Sequence, residues 1–256
     1  MHKLAFRTRQ IAGYAAFAFR FFLLRSKGPF FLGLVTNDTC NLDCINCRVA
    51  NVDKSNMSFE EIRENLVKNH RAGLRFLTLA GGEPYLWRDG DLRIRDVVEL
   101  ARSIGYLNVN IFTNGTIPLD ADADFTWVSI DGLGDSLARI RGITEERIFR
   151  NLRHLQGRFG IVFTVNTVNL GEIGPFLRRI EEVLPGVGVL FFFHTPYYGK
   201  DALLLSGSER RIAVDTLLKA KRAGLPVLNS EPALNAYLAG NPDLPNDLCR
   251  IVDSKG

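Results

Sequence analysis

Residues 30–47 read FFLGLVTNDTCNLDCINC: an apolar run, 30–36, turns polar at Thr36 and soon meets three cysteines, Cys40, Cys44 and Cys47. A short stretch of Phe, Leu and Val that gives way to Asn and Asp reads as a buried strand followed by a turn. The cysteines therefore fall on the loop leaving that strand's C-terminal end. Working outward, similar runs recur at 75–80 (RFLTLA), 107–112 (LNVNIF), 125–130 (FTWVSI), 160–166 (GIVFTVN) and 187–193. Helical patterns at 59–72, 93–104, 144–156, 172–184 and 207–222 separate or follow them. The first helix has a capping-box pair, Ser58 and Glu61, an apolar face of Phe59, Ile62 and Leu66, and Gly73 as its stop. Gly105 and Gly157 close the next two in the same way.

Strands alternating with amphipathic helices build βαβ units and a parallel sheet, either a partial barrel or a doubly wound sheet. The strand ends decide between them. Thr36 to Thr39, Gly81 to Glu83, Thr113 and Asn114, Ser129 and Asp131, Asn166, and His194 all follow apolar runs. Barrel enzymes gather their functional residues from the C-terminal ends of several strands. The expected fold is α/β, a partial (β/α)6 TIM-like barrel, with an N-terminal apolar helix and an irregular C-terminal extension. The corresponding boundaries are 1–28, 29–224 and 225–256.

The 256 residues are 46% hydrophobic and 23% charged, enough for a sizeable core. The net charge of +4 is mild, and no Lys/Arg block supports nucleic-acid binding. Four cysteines, three of them clustered, suit a metal site in a reducing compartment, the cytoplasm, better than a secreted disulfide framework. Residues 11–24, IAGYAAFAFRFFLL, are apolar between Arg7, Arg9, Arg25 and Lys27, and Arg20 interrupts them. The run is short for a membrane span. It reads either as a helix closing one end of the domain or as one lying on the cytoplasmic face of a membrane. In the tail, prolines surround a short helical piece at 231–239, and the chain runs through DLCRIVDSKG, as if entering a hairpin turn whose second strand is missing. A fragment or trimmed sequence is expected.

Thiolates in C-x3-C-x2-C spacing can wrap one iron–sulfur cluster from a single loop. Three ligands leave one iron open for chemistry. The competing reading is a zinc ion completed by His70, His194 or Cys249. CNLDCINC resembles the cluster signature of the radical S-adenosylmethionine (radical SAM) superfamily, and further marks follow in order. Gly81-Gly82-Glu83-Pro84 is similar to the family's GGEP, Phe112-Thr113-Asn114-Gly115 to its TNG, and Ser129-Ile130-Asp131-Gly132 to its S-[IL]-D-G. Arg141-Gly142 is similar to its RG, and Asn166 sits where a fifth-strand polar residue often contacts SAM. The resemblance covers about 30–195. Asn46 departs from it, since many members have an aromatic there.

The resemblance implies a 4Fe–4S cluster on Cys40, Cys44 and Cys47, with SAM chelating the open iron. SAM would be positioned by Gly81, Gly82, Glu83 and Pro84, with Glu83 able to receive an ammonium, and by Thr113, Asn114, Ser129, Asp131, Arg141 and Asn166. Reductive cleavage to a 5′-deoxyadenosyl radical would modify a small-molecule, peptide or lipid (isoprenoid) substrate, in an oxidoreductase or transferase reaction. The electron would come from a flavodoxin or ferredoxin. His194, Tyr197 and Tyr198 at the barrel mouth are the candidate catalytic residues. Cys249 looks like the start of the SPASM or twitch extension that carries auxiliary clusters. The alternative is a non-catalytic protein whose cysteines hold an Fe–S cluster or zinc as a structural or electron-transfer site.

Overall fold

The computed structural model describes residues 11–19, 29–47, 49–152, 155, 158–196, 201–239 and 249–254. Helix α1 (11–18) precedes β1 (Phe31–Val35), α2 (Phe59–Arg71) and β2 (Phe76–Ala80). A small antiparallel hairpin, β3 (Arg88–Asp89) and β4 (Leu92–Arg93), leads into α3 (Ile94–Ile104). Then come β5 (Asn108–Thr113), β6 (Phe125–Ser129), α4 (Gly134–Arg141), α5 (Glu145–Leu152), β7 (Phe159–Val165), α6 (Ile173–Val183) and β8 (Val189–Phe193). The chain continues with α7 (Gly207–Arg222), α8 (Glu231–Ala239) and β9 (Cys249–Val252).

Seven strands form one wholly parallel, curled sheet in the order β8-β7-β6-β5-β2-β1-β9, a half-barrel. Six strands are those expected from the apolar runs. The seventh, β9, comes from the C-terminal extension and pairs with β1 from Phe31↔Cys249 to Leu34↔Val252. The run before the expected hairpin turn is thus an added barrel strand. The described part of the extension before residue 240 also packs on the barrel. Val227 bridges Val189, and the Asn229 amide bonds both the N–H and the carbonyl of Phe191. Tyr237 on α8 stacks on Phe193 with ring centroids 3.7 Å apart.

Alternation along each strand sends one set of side chains under the helices and the other toward the concave face. Leu32, Leu34, Leu77, Leu79, Val109 and Ile111 pack with Ile62 and Leu66 of α2 and Val97 and Ala101 of α3. Ile161, Phe163, Val189 and Phe191 do the same with Phe176 and Ile180 of α6 and Val214 and Leu217 of α7. Each such side chain, fully buried, contributes about 1.5–3 kcal/mol of hydrophobic stabilisation. The capping box at α2 is present, with Ser58 N–H donating to Glu61 Oε2 at 2.7 Å and Glu61 N–H to Ser58 Oγ at 3.3 Å.

Helix α1 lies across the N-terminal ends of the strands. Tyr14 meets Phe76, Phe17 meets Phe30 and Phe76, and Gly13 faces Leu107. It packs on the barrel floor through Gly13, Tyr14 and Phe17, but none of its residues is fully buried, unlike the buried helix that was one of the two readings expected. Ile11 is 68% exposed and Phe19 54%. Among the described residues, no helix is long and apolar enough to cross a membrane.

Candidate active site

The C-terminal strand ends open into a cavity of about 380 Å³ whose lining includes Cys40, Cys44 and Cys47. The loop bearing them is anchored close to the end of β1. The Asn37 amide donates to the Thr39 and Glu83 carbonyls at 2.9 and 3.2 Å, and its oxygen accepts from Thr36 Oγ1 at 2.9 Å. Gly82 N–H then donates to Asn37 O at 2.8 Å and Glu83 N–H to Thr39 O at 2.9 Å. A Cβ on Gly82 would lie 2.3 Å from Asp38 O and 2.4 Å from Thr39 O. The glycine is required because two backbones touch there, the cysteine loop and the turn after β2.

Glu83 does not face the cavity. It is fully buried, and its carboxylate accepts from Thr113 Oγ1 at 2.8 Å, Tyr85 N–H at 3.2 Å and Asn114 N–H at 2.8 Å. Burial pushes its carboxyl above the usual carboxylate range, and those hydrogen bonds oppose the shift. The side chain read as an ammonium acceptor instead ties the turn after β2 to the end of β5, leaving Gly81 and Gly82 on the cavity wall. Pro84 begins a short 3-10 turn behind that wall. Asn114 does reach the site: its amide nitrogen lies 3.7 Å from Cys40 Sγ and 3.0 Å from Asn41 Oδ1. Thr113 and Ser129 also line the cavity.

Arg141 is the last residue of α4, and Gly142, at φ 67°, ends the helix in the left-handed conformation that a glycine adopts without strain. The Arg141 Nε and Nη2 donate to Asp131 Oδ2 at 2.8 and 2.7 Å. Asp131, wholly buried, also accepts the Thr164 N–H at 2.7 Å and the Asn46 amide at 3.3 Å. Asp131 therefore sits behind the wall and presents Arg141, which lines the cavity with the cysteines. Burial pushes the Cys44 thiol up to about 11, and the Arg141 charge pulls the other way. Burial likewise raises Cys40, opposed by the Leu42 N–H. Asn166 is turned into its own loop, its oxygen accepting from Val168 N–H at 2.9 Å, and does not line the cavity.

His194 does line it, 6% exposed, with Nε2 2.8 Å from Asp201 Oδ2. The hydrogen bond from His194 holds the Asp201 carboxyl below its usual range. Asp201 escaped the sequence reading because no motif marks it and it lies seven positions beyond His194. Tyr197 and Tyr198 lie outside the described residues. Asn37, Asn46 and Arg141's partner geometry were also illegible, being set by contacts between distant segments.

The donor set fits an iron–sulfur cluster. Three soft thiols share one wall, with N–H groups directed at Cys40 Sγ from Leu42 and Asn114 and a guanidinium nearby. A zinc site fits poorly. Among the described residues, no three His, Cys, Asp or Glu side chains, the three cysteines included, close around one ion. His70, at the C-terminus of α2, and Cys249, paired with Phe31, are at the opposite end of the strands, while His194 is bonded to Asp201.

A half-barrel whose mouth holds three thiols, a Gly-Gly wall and a buried Asp–Arg pair defines a class, and comparison with known proteins gives the same one. The chain belongs to the radical SAM superfamily, whose model matches residues 34–174, more than half of its length. The cofactors of that family are a 4Fe–4S cluster and SAM. Over 170 residues it is 29% identical to "Probable GTP 3',8-cyclase" of Methanothermobacter marburgensis, covering 59% of this chain and 54% of that protein. Over 212 residues it is 28% identical to 7,8-dihydro-6-hydroxymethylpterin dimethyltransferase of Methanocaldococcus jannaschii, covering 72% and 40%. The chain thus spans about half the length, or less, of these relatives. Streptococcus suis SuiB bound to S-adenosylmethionine superposes with a TM-score of 0.70 at 13% identity, covering 90% of this chain and 59% of that one. SuiB bound to its precursor peptide SuiA gives 0.69, 13%, 90% and 58%. At such identities the likeness shows the fold.

Proposed function

We propose that Cys40, Cys44 and Cys47 hold a 4Fe–4S cluster, that SAM binds beside it, and that the enzyme modifies a peptide in the cytoplasm. The observation that carries this reading is the single cavity that all three thiols share with Gly81, Gly82, Ser129 and Arg141. Held by Cys40, Cys44 and Cys47, with SAM beside it, the cluster would supply one-electron chemistry able to cleave the sulfonium. The chain's own residues bind, orient and enclose. Backbone groups of Gly81 and Gly82 are bare of side chains on the wall, so a ligand's polar end can approach them closely. Arg141, fixed by Asp131, places a positive charge beside the thiolates, favouring their deprotonated form when metal binds. It is also available to a ligand carboxylate. Ser129 offers a hydroxyl from the end of β6. Asn46, bonded to Asp131, leaves the adenine to apolar neighbours such as Leu42 and Phe193. His194, oriented by Asp201, can hold or accept a proton at the mouth.

A peptide is favoured over a lipid or isoprenoid substrate by the position of the apolar features. Helix α1 lies at the floor, away from the cavity, and Phe191 is in the core, leaving Phe192 and Phe193 at the mouth. The structural likeness to a protein seen with its precursor peptide supports the same choice. Reduction would come from a flavodoxin or ferredoxin. The test is anaerobic reconstitution with iron and sulfide, then dithionite and SAM, with chromatography for 5′-deoxyadenosine. Release that depends on all three cysteines is expected. A bound cluster that leaves SAM intact would overturn the reading in favour of a structural or electron-transfer site.

A further inference from the structure

The side chain of Asn114 has a partner for every donor and acceptor it carries, and one of those partners is a cysteine sulfur. Thr116 N–H and Thr116 Oγ1 donate to Asn114 Oδ1 at 2.9 and 2.6 Å. The Asn114 amide nitrogen donates to Asn41 Oδ1 at 3.0 Å and to Cys40 Sγ at 3.7 Å. Asn41 closes a ring by donating its own amide to Thr116 Oγ1 at 2.8 Å. A carboxamide has two N–H donors and an oxygen with two lone pairs, so Asn114 has none left for a ligand. The ring also fixes which way the amide points. A backbone N–H can only donate, so the Thr116 N–H holds Asn114 Oδ1 and turns the NH2 group toward Asn41 and Cys40. With one N–H committed to Asn41, the other is aimed at Cys40 Sγ. The turn that carries the ring is held from α5, where Arg147 Nε donates to Thr116 O at 3.2 Å and the Asn151 amide to Gly115 O at 2.8 Å. Asn114 and Thr116 are both buried.

We propose that Asn114 tunes the cluster instead of binding SAM: its N–H donates to Cys40 Sγ and raises the reduction potential, and Asn41 and Thr116 are the positioning residues that aim it. The inference rests on the cluster of the proposed function. One electron passes from the flavodoxin or ferredoxin, which is oxidised, to the cluster, which is reduced; no bond breaks and no proton moves. Part of the added negative charge falls on the ligand sulfurs, and a hydrogen bond to such a sulfur favours the more negative form. The Leu42 N–H, 3.4 Å from the same sulfur, acts in the same sense. Because the ring holds the Asn114 amide in place beforehand, the donation needs no rearrangement when the electron arrives.

The test is an EPR-monitored redox titration of the reconstituted full chain without SAM. Asn114→Leu, similar in size but without the N–H, should lower the midpoint by about 59 mV, a tenfold shift in a one-electron couple. Thr116→Val opens the ring and should move the midpoint the same way by less, since the Thr116 N–H still holds Asn114 Oδ1. Thr116→Ser keeps the hydroxyl and should keep the wild-type value. SAM should perturb the EPR signal of Asn114→Leu at the same concentration as in the wild type. Pulsed EPR of the reduced wild-type chain, labelled with 15N in its asparagine side chains, should show a 15N coupling that Asn114→Leu lacks. That coupling is read on the wild type, so it decides the matter even where Asn114→Leu loads iron poorly. A wild-type chain without the coupling, an Asn114→Leu midpoint equal to that of the wild type, or a tenfold higher SAM requirement in that variant would each overturn the inference. Failure of the proposed function looks different: the wild-type chain itself would then hold no cluster that responds to SAM.

Discussion

Replacing Gly82 by alanine tests how the site is assembled without touching any of the three thiols. The added Cβ would sit 2.3 Å from Asp38 O and 2.4 Å from Thr39 O, where ordinary contact begins near 3.4 Å. Both obstacles are backbone, so the cysteine loop and the turn after β2 must separate by about 1 Å. That lengthens the 2.8 Å Gly82–Asn37 and 2.9 Å Glu83–Thr39 bonds beyond hydrogen-bonding range. Two lost bonds at about 1 kcal/mol each, with residual strain of about 1 kcal/mol, give a destabilisation of about 3 kcal/mol. Cys40, the next residue after Thr39, is displaced with the loop. Urea unfolding of the metal-free chain reads the first effect, and iron and sulfide content after anaerobic reconstitution reads the second. Gly171→Ala, into open space, is the control and should stay within about 0.5 kcal/mol of the wild type. If Gly82→Ala matched that control in both stability and iron content, the close approach of the two loops would not be what requires the glycine.

Asp131→Asn leaves the Arg141 guanidinium buried without its charge partner and should cost about 3–5 kcal/mol in urea unfolding. Glu83→Gln sets an amide N–H against either Asn114 N–H or the Tyr85 N–H and Thr113 hydroxyl, a loss of about 1–3 kcal/mol by the same measurement. The Asp201 carboxyl is held low in the folded chain by His194, so its stabilising effect is full above the ordinary Asp value of about 4 and is lost as pH falls through the lower folded value. The difference in urea midpoint between wild type and Asp201→Asn should therefore be constant near pH 5–6 and close below about pH 4. Cys44→Ser should abolish retention of reconstituted iron, whereas Cys249→Ser, at the far end of β1, should leave it unchanged in an iron assay.

What could be read from the sequence was what local chemistry determines. The runs at 75–80 and 160–166 lie within a residue of β2 and β7 because apolar strands end where polar residues begin. Ser58 and Glu61 marked the start of α2 because that cap is made within four residues. Helix α4 was missed because Gly132, Gly134 and Gly142 break its pattern and Leu133 provides no side-chain cap. The place of β9 beside β1 depends on pairing across more than 200 residues, which no local signal encodes. At the site, motif order pointed to strand ends that also meet the cavity, but a motif does not say which neighbour lines it. Gly81, Gly82, Ser129 and Arg141 reach the cavity, while Glu83, Asp131 and Asn166 turn inward to hold the loops that present them. Burial separates these roles, and burial is a property of the whole fold.

The most direct measurement is low-temperature EPR of the reduced, reconstituted chain with and without SAM. A reduced 4Fe–4S signal whose g values change when SAM is added, and which is absent in Cys44→Ser, is the expected result. A signal indifferent to SAM, or a cluster that survives loss of Cys44, would contradict the claim that three cysteines leave one iron open to it.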